Sequence, residues 1–158
     1  SLLLLLMVQQ LIQTDIMLAM KAKDDVVLTT LRGVKTAIMQ YKTSSNFKGD
    51  RDSNLPDSEV IKIMQKLAKE RRETAEVYKN AGREELANKE LAEADVIEKY
   101  LPKAMTEAEV EELVKVAITE VGATSMKEMG LVIKNVNAKA NGRTDGKTIS
   151  SIVKRLLA

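Results

Sequence analysis

Apolar residues recur at steps of three and four along most of this chain, which is the spacing of amphipathic helices. Before Pro102 the pattern predicts four helices. They cover residues 2–23, the stretch from a cap at Asp24 or Asp25 to about residue 42, the stretch from Pro56 to about Ala81, and residues 83–101. The predicted inward residues of the second to fourth helices are Val27, Leu31, Val34, Ile38 and Tyr41, then Val60, Met64, Leu67, Ala75 and Tyr78, then Leu86, Ala94, Ile97 and Leu101.

Three shorter helices are predicted after Pro102, which cannot continue a helix. Their predicted caps are Thr106 with Glu109, Ser125 with Glu128, and Asp145. Two of the periodic runs end at a glycine, Gly122 or Gly142, where a left-handed cap residue belongs. The predicted inward residues are Val110, Leu113, Val114, Ala117 and Val121 in the first helix, Met126, Met129, Ile133 and Val136 in the second, and Ile149, Ile152, Val153 and Leu156 in the third.

These elements predict an all-α protein, with an N-terminal helical bundle of about four helices (residues 1–101) and a C-terminal three-helix module (residues 102–158). Residues 43–55 are polar and aperiodic, which predicts a long mobile loop. The apolar run from Leu2 to Val8 is far shorter than the roughly 18 residues that span a bilayer, and no basic segment precedes it. We therefore expect a buried helix start there and no contact with a membrane.

Arg71 falls within the apolar stripe of the third helix, and Glu90 and Glu93 fall in or beside the stripe of the fourth. An unpaired buried charge costs several kcal/mol, so we expect Arg71 to form a structural ion pair with one of these carboxylates. The alternative is a carboxylate–arginine site for a ligand, which no neighbouring residue supports.

The chain contains no Cys and no His, which excludes thiolate and Ser–His–Asp nucleophiles as well as ordinary zinc sites. The fourth helix carries a row of acids, but a di-metal carboxylate site would normally add Glu-x-x-His pairs. The row consists of Glu84, Glu85, Glu90, Glu93, Asp95 and Glu98. We expect no metal, no cofactor, no catalytic residue and no enzymatic activity of the chain by itself.

The net charge of +2 is unevenly distributed. Residues 123–158 hold seven Lys/Arg and two acids, so the remainder of the chain has a net charge of −3. The basic residues are Lys127, Lys134, Lys139, Arg143, Lys147, Lys154 and Arg155. Together with Gly142 and Gly146, which permit close approach at the start of the last helix, they indicate a surface for nucleic-acid phosphates. The alternative is an ordinary solvated basic face.

Three blocks of the chain resemble segments of the GatB/YqeY family and occur in the same order as they do there. They are MKAKDDVVLTTLRGVKTAI near the start, AKERRETAEVYKNAGREELANKELAEADVIEKYLP with its R-R, A-G-R-x-x-L and Y-L-P elements, and GATSMKEMGLVIKNVNAKANGRTDGKTISSIVKRLL at the end. The resemblance covers residues 15–157. The residues that match the tail motif are Gly130, Gly142, Arg143, Asp145, Gly146 and Lys147. Leu131 and Asn141 stand where basic residues are expected, which thins the basic surface.

The resemblance implies similarity to the C-terminal tail of the B subunit of the glutamyl/aspartyl-tRNA amidotransferase, a module implicated in holding tRNA. The catalytic centre of that enzyme lies in a domain that this chain lacks. The family label nevertheless includes carbon–nitrogen ligase activity with glutamine as the nitrogen donor.

We therefore expect a non-catalytic tRNA-binding accessory protein that contacts the phosphate backbone. A second interpretation is a protein-interaction module that docks on an aminoacyl-tRNA synthetase or an amidotransferase. A third is a part in glutamine-dependent amidotransferase activity, for which no nucleophile is visible. The expected location is cytoplasmic, or an organelle matrix.

Overall fold

A computed structural model describes residues 7–158, which form seven α-helices and one short 3₁₀ helix without any β-strand. The all-α prediction is confirmed. The helices are α1 (Met7–Ala22), α2 (Asp25–Thr43), α3 (Asp57–Asn80), α4 (Glu84–Glu98), α5 (Glu107–Val121), the 3₁₀ helix (Met126–Glu128), α6 (Met129–Ala140) and α7 (Gly146–Leu157). The chain divides into two compact units between Leu101 and Pro102. Residues 2–6, where most of the predicted buried apolar start falls, lie outside the described residues.

The first unit packs α1 to α4 around an aliphatic core. Asp24, rather than Asp25, caps α2 by accepting a hydrogen bond from the amide of Val27. The predicted stripe of α2 is inside, with its centre fully buried and its two ends partly buried. The buried residues at the centre of this core are Ile12, Leu31, Val34, Ile38, Val60, Met64 and Ile97.

The segment between α2 and α3 contains no helix or strand, but two apolar side chains attach it to the core. Leu55 is buried, and the ring of Phe47 makes an edge contact with Tyr41 at a centroid distance of 5.5 Å. The purely polar interpretation of residues 43–55 therefore missed two anchors. Pro56 is the N-cap residue of α3, one position before the first turn where it was predicted.

The α3–α4 hairpin turns at Gly82, whose φ of +72° suits a residue without a Cβ. The predicted inward position of Leu86 is wrong, because this side chain is 41% exposed. Ala87, one residue on, is buried together with Ala94 and Ile97, and these three form the line that faces the core. Since successive helical residues are about 100° apart, a shift of one position moves Leu86 out of that line.

Two arginines of α3 join this helix to carboxylates of α4. Arg71 Nε lies 3.2 Å from Glu93 Oε2, with both side chains largely buried. Glu90, the other expected partner, makes no ion pair with any described residue. Arg72, which the sequence analysis missed, contacts Glu98 at 2.6 Å and Asp95 at 2.9 Å. Part of the acidic row on α4 is thus neutralised within the unit.

The second unit packs α5, α6 and α7 around its own aliphatic core. Both capping boxes form as predicted, at Thr106 and Ser125. The inward set of α6 is partly wrong, because Met126 is 43% exposed and the unpredicted Val132 is fully buried. The reason is the 3₁₀ helix over Met126–Glu128, since its tighter winding changes the rotational phase before α6 begins. The left-handed C-cap of α6 is Asn141, followed by Gly142.

Thr30 provides a test of packing in the first unit. Its side chain is buried on α2, and its hydroxyl has no hydrogen-bond partner within the described part of the chain. Replacing Thr30 by Val keeps the shape and removes an unsatisfied polar group, so we expect the free energy of unfolding to rise by about 1 kcal/mol. Urea denaturation measures this as a higher midpoint with an unchanged slope. Thr30→Ala, which also removes a methyl group, should gain less, and a loss of stability in Thr30→Val would contradict the assignment.

Candidate nucleic-acid interface

The outward face of α7 is set by its cap and by its buried side. The carboxylate of Asp145 accepts a hydrogen bond from the amide of Thr148 at 2.7 Å, which fixes the first turn. Ile149, Ile152 and Val153 are buried against the other two helices. The cations at the opposite positions, Lys147 and Lys154, are exposed together with Ser151.

The turn before α7 places Arg143 against the segment that precedes α5. The Nε atom of Arg143 donates to the carbonyl oxygen of Lys103 at 2.8 Å, and the amide of Met105 donates to the carbonyl oxygen of Arg143 at 2.8 Å. These two bonds hold the turn in place. Lys103 was not among the predicted site residues, because its proximity to Arg143 depends on a contact across 40 positions of the chain.

A surface cavity of about 480 Å³ lies beside this turn. It brings Arg143, Lys147 and Ser151 together, but Glu107 and Asp145 line it as well. Its charge is therefore mixed. Asp145 also accepts a hydrogen bond from the amide of Thr148, so its negative charge lies at the start of α7. This mixed lining does not favour a phosphate in the cavity itself, whose positive charge comes from Arg143 and Lys147.

Two of the seven predicted cations are engaged by acids of α5. Lys139 Nζ lies 2.5 Å from Glu120 Oε2, and Arg155 lies 3.3 Å from Glu111 Oε2. Both pairs join α5 to another helix of the unit. The other lysines of the predicted set, Lys127, Lys134, Lys147 and Lys154, form no ion pair with any residue of the described range 7–158.

The two predicted glycines differ in what the fold requires of them. Gly142 has a φ of +79°, which most other residues adopt only with strain. Gly146 begins α7, and a Cβ added there would meet no atom within 4 Å. The left-handed backbone conformation thus explains Gly142, whereas nothing in the described residues requires a glycine at position 146.

Three glutamates of this unit have pKa values below the ordinary value for glutamate. The pKa of Glu109 is lowered chiefly by the hydrogen bond from the backbone amide of Thr106, and that of Glu128 by the bond from the amide of Ser125. The pKa of Glu120 is lowered chiefly by the hydrogen bond that Lys139 Nζ donates to it, with a smaller effect from the bond donated by Asn135. Arg143 contributes to the shift of Glu109, so the positive charge of the turn reaches the start of α5.

Neither a metal cluster nor a membrane span is found in the described chain. No group of three or more Asp and Glu residues is arranged to hold an ion within residues 7–158. No helix in this range is long and apolar enough to cross a bilayer.

The capping box at the start of α5 gives a pH-dependent prediction. We expect Thr106→Ala to lower the free energy of unfolding by about 1 kcal/mol through loss of the N-cap bond. The pKa of Glu109 should rise only part of the way toward 4.5, because the hydroxyl of Thr106 is lost whereas the backbone amide at this position, the main donor, remains. Because this pKa is lower in the folded state than in the unfolded state, the ionised carboxylate stabilises the fold above about pH 4.5, and that contribution disappears as the pH falls through the lowered value. A carboxyl NMR titration measures it. Thr119→Ala, at the exposed end of α5, is the control, and an unchanged pKa in Thr106→Ala would contradict the assignment.

Comparison with known proteins identifies the family. A family described as Yqey-like protein matches residues 9–157. A protein of Pyrenophora tritici-repentis named altered inheritance of mitochondria protein 41, mitochondrial, is 31% identical over 82% of this chain and 71% of its own length. Proteins of the same name are 31% identical in Kluyveromyces lactis, over 84% of this chain and 69% of theirs, and 33% identical in Eremothecium gossypii, over 65% and 52%. The chain belongs to the YqeY-like protein family, as its resemblance to GatB/YqeY proteins had indicated.

Proposed function

We propose that this chain is a non-catalytic accessory protein that binds tRNA through the phosphate backbone. The observation that carries the proposal is the set of uncompensated cations on the second unit. Four lysines have no carboxylate partner among the described residues, namely Lys127, Lys134, Lys147 and Lys154. Arg143 donates one hydrogen bond, to the neutral carbonyl oxygen of Lys103. Lysine and arginine in this state supply the sequence-independent part of nucleic-acid affinity.

The mode of binding follows from which side chains are present. No Phe, Tyr or Trp occurs after Tyr100, so base stacking, which supports many single-strand binding sites, has no aromatic platform in this unit. The absence of aromatic residues favours contact with phosphates and with the shape of a folded RNA rather than readout of bases.

The ion pairs limit the strength of such binding. With Lys139 and Arg155 engaged by α5, about five of the seven predicted cations remain for phosphates. Each phosphate neutralised on a duplex contributes about −0.9 to the slope of log binding constant against log salt concentration. Five contacts therefore give a slope no steeper than about −4.5. Modest affinity of this kind suits an accessory role beside an aminoacyl-tRNA synthetase or an amidotransferase.

The names of the fungal relatives bear on location. They include the word mitochondrial, which favours the organelle alternative over the cytoplasmic one. We therefore propose a mitochondrial location for the tRNA-binding role.

A second candidate function is docking on a partner protein through the first unit. Four large apolar side chains of α1 are at least 45% exposed, namely Leu11, Met17, Leu18 and Met20. The acidic row of α4 is a weaker candidate surface, since Arg71 and Arg72 already neutralise three of its carboxylates. An exposed apolar helix of this kind is typical of an interaction site.

The tRNA proposal predicts a dependence on particular cations. We expect Lys147→Glu with Lys154→Glu to weaken tRNA binding at least tenfold and to reduce the salt slope by about two, because two phosphate contacts are lost. Lys62→Glu with Lys69→Glu changes two exposed lysines of α3 that have the same seven-residue spacing. It is the charge-matched control, and we expect a smaller effect from it. Fluorescence anisotropy with labelled tRNA at several salt concentrations measures both.

The opposite change sharpens the test. Glu120→Gln releases Lys139 from its ion pair and should tighten binding, since a sixth cation becomes available. Equal weakening by both lysine double variants would show that only the net charge matters, and absence of binding at low salt would refute the proposal.

The docking alternative predicts a different pattern. Leu11→Ser with Leu18→Ser should leave the fold intact, because both side chains are already exposed, and should abolish complex formation with a purified amidotransferase or aminoacyl-tRNA synthetase. Thr14→Ser with Lys21→Gln, which are exposed polar positions on the same helix, should leave the complex unchanged. Size-exclusion chromatography with light scattering reports the complex, and a complex that persists in the leucine variant excludes this surface.

A further inference from the structure

A second cavity, in the first unit, has no part in the surface described above. It encloses about 350 Å³ between α1 and α2, next to the end of the segment that leads to α3. Its charged and polar lining includes Gln9 and Gln13 of α1, Lys35 and Lys42 of α2, and Asn54. This volume lies at the lower end of the range for small-molecule sites.

The two lysines of this cavity are held by neutral acceptors. Lys35 Nζ donates to Gln13 Oε1 at 2.9 Å, and Lys42 Nζ donates to the carbonyl oxygen of Ser53 at 2.6 Å. No Asp or Glu lines the cavity among the described residues. Asp50 is close enough for its pKa to be influenced by Lys42, but it does not line the cavity, and its oxygens accept from the amide of Asp52 and the hydroxyl of Ser53.

The hydrogen bonds leave the cavity rich in donors. Gln9 Oε1 accepts from the amide of Leu55 at 2.7 Å, and Gln13 Oε1 accepts from Lys35. In both glutamines the acceptor oxygen is therefore used, whereas the donor nitrogen has no partner within the described residues. Each ammonium also retains further N–H donors. A ligand that satisfies such a site must supply acceptors and negative charge, and a phosphate group does both.

The remaining lining suits an organic group attached to that phosphate. Ile12 and Ile38 are buried core residues and provide an apolar floor. Met39, which is 65% exposed, lies at the edge of the same cavity. Thioether side chains adapt to flat or irregular groups.

We propose that the cavity between α1 and α2 binds a small phosphomonoester of about mononucleotide size, with Lys35 and Lys42 on the phosphate. The glutamine amide groups donate to the remaining oxygens. The site shares no residue with the proposed tRNA surface, so a negative result for one proposal leaves the other unaffected. A free mononucleotide and the 5′-phosphate end of an RNA present the same group, and the experiment distinguishes them.

The test is an amide NMR titration of the full chain with inorganic phosphate, AMP and adenosine. We expect saturable shifts at residues 9–13 and 35–42 with phosphate and larger ones with AMP, and none with adenosine. Lys35→Gln should weaken AMP binding at least tenfold. Met39→Glu, which leaves both lysine hydrogen bonds in place and adds a negative charge at the edge, should do the same. Lys66→Gln, an exposed lysine of α3, is the matched control and should bind as the parent does.

Two further RNA probes separate the sources of the phosphate. If the cavity receives an RNA end, a short RNA with a 5′-phosphate should shift the amides of residues 9–13 and 35–42 more than the same RNA with a 5′-hydroxyl. If the cavity receives a free nucleotide, AMP should shift these amides and neither RNA should. Three outcomes would overturn the proposal. They are equal weakening by Lys66→Gln and Lys35→Gln, equal shifts with adenosine and AMP, and no saturable shift with AMP up to roughly 10 mM, a concentration that would saturate a site of millimolar affinity.

Discussion

Burial of three aliphatic side chains of α7, Ile149, Ile152 and Val153, determines which of its cations face outward. A helix has one rotational phase, so packing these residues against α5 and α6 directs Lys147 and Lys154 to the opposite side. The same packing fixes the turn before α7, where Arg143 bonds to the carbonyl oxygen of Lys103. Without that core, the positive charges would lie on a flexible segment and would lose entropy on binding a phosphate.

The distribution of acids in the second unit decides how much of this positive charge is available. Nine Lys/Arg and seven Asp/Glu give residues 102–158 a net charge of only +2. Five of the acids lie on α5, and those at positions 111 and 120 hold Arg155 and Lys139. Such exposed pairs contribute little stability, roughly 0–1 kcal/mol each, but they remove two cations from the outward surface. The unit thus has a more acidic side at α5 and a more basic one at α6 and α7.

The sequence predicted the parts of the structure that depend on local chemistry. Helix caps at Asp24, Thr106, Ser125 and Asp145 follow from short-range hydrogen bonding, and all four form. The predicted inward face of α7 was also correct, because its cap and its four apolar residues indicate the same rotation of the helix about its axis. The phase of α6 was not, because the 3₁₀ helix before it obeys the same capping pattern as an α-helix and differs only in winding.

Features that depend on tertiary contacts could not be predicted from the sequence pattern. Arg71 was expected to pair with Glu90 or Glu93, and only the packing of α3 on α4 selects Glu93. Arg72 gave no signal, since it lies off the apolar stripe and its partners are 23 and 26 positions away. The cavity between α1 and α2 is formed by three separate segments, and its character depends on which glutamine oxygens are already used.

Asp145 illustrates how the cap and the charge of one residue act in different directions. Its carboxylate satisfies an amide of the first turn of α7 and so supports the helix that presents Lys147 and Lys154. The same negative charge lines the cavity beside Arg143 and repels an anion that approaches the helix N-terminus. A phosphate is therefore better accommodated along the outer face of α7 than at its N-terminal amides, which shifts the expected contact from the glycine turn to the lysine side chains.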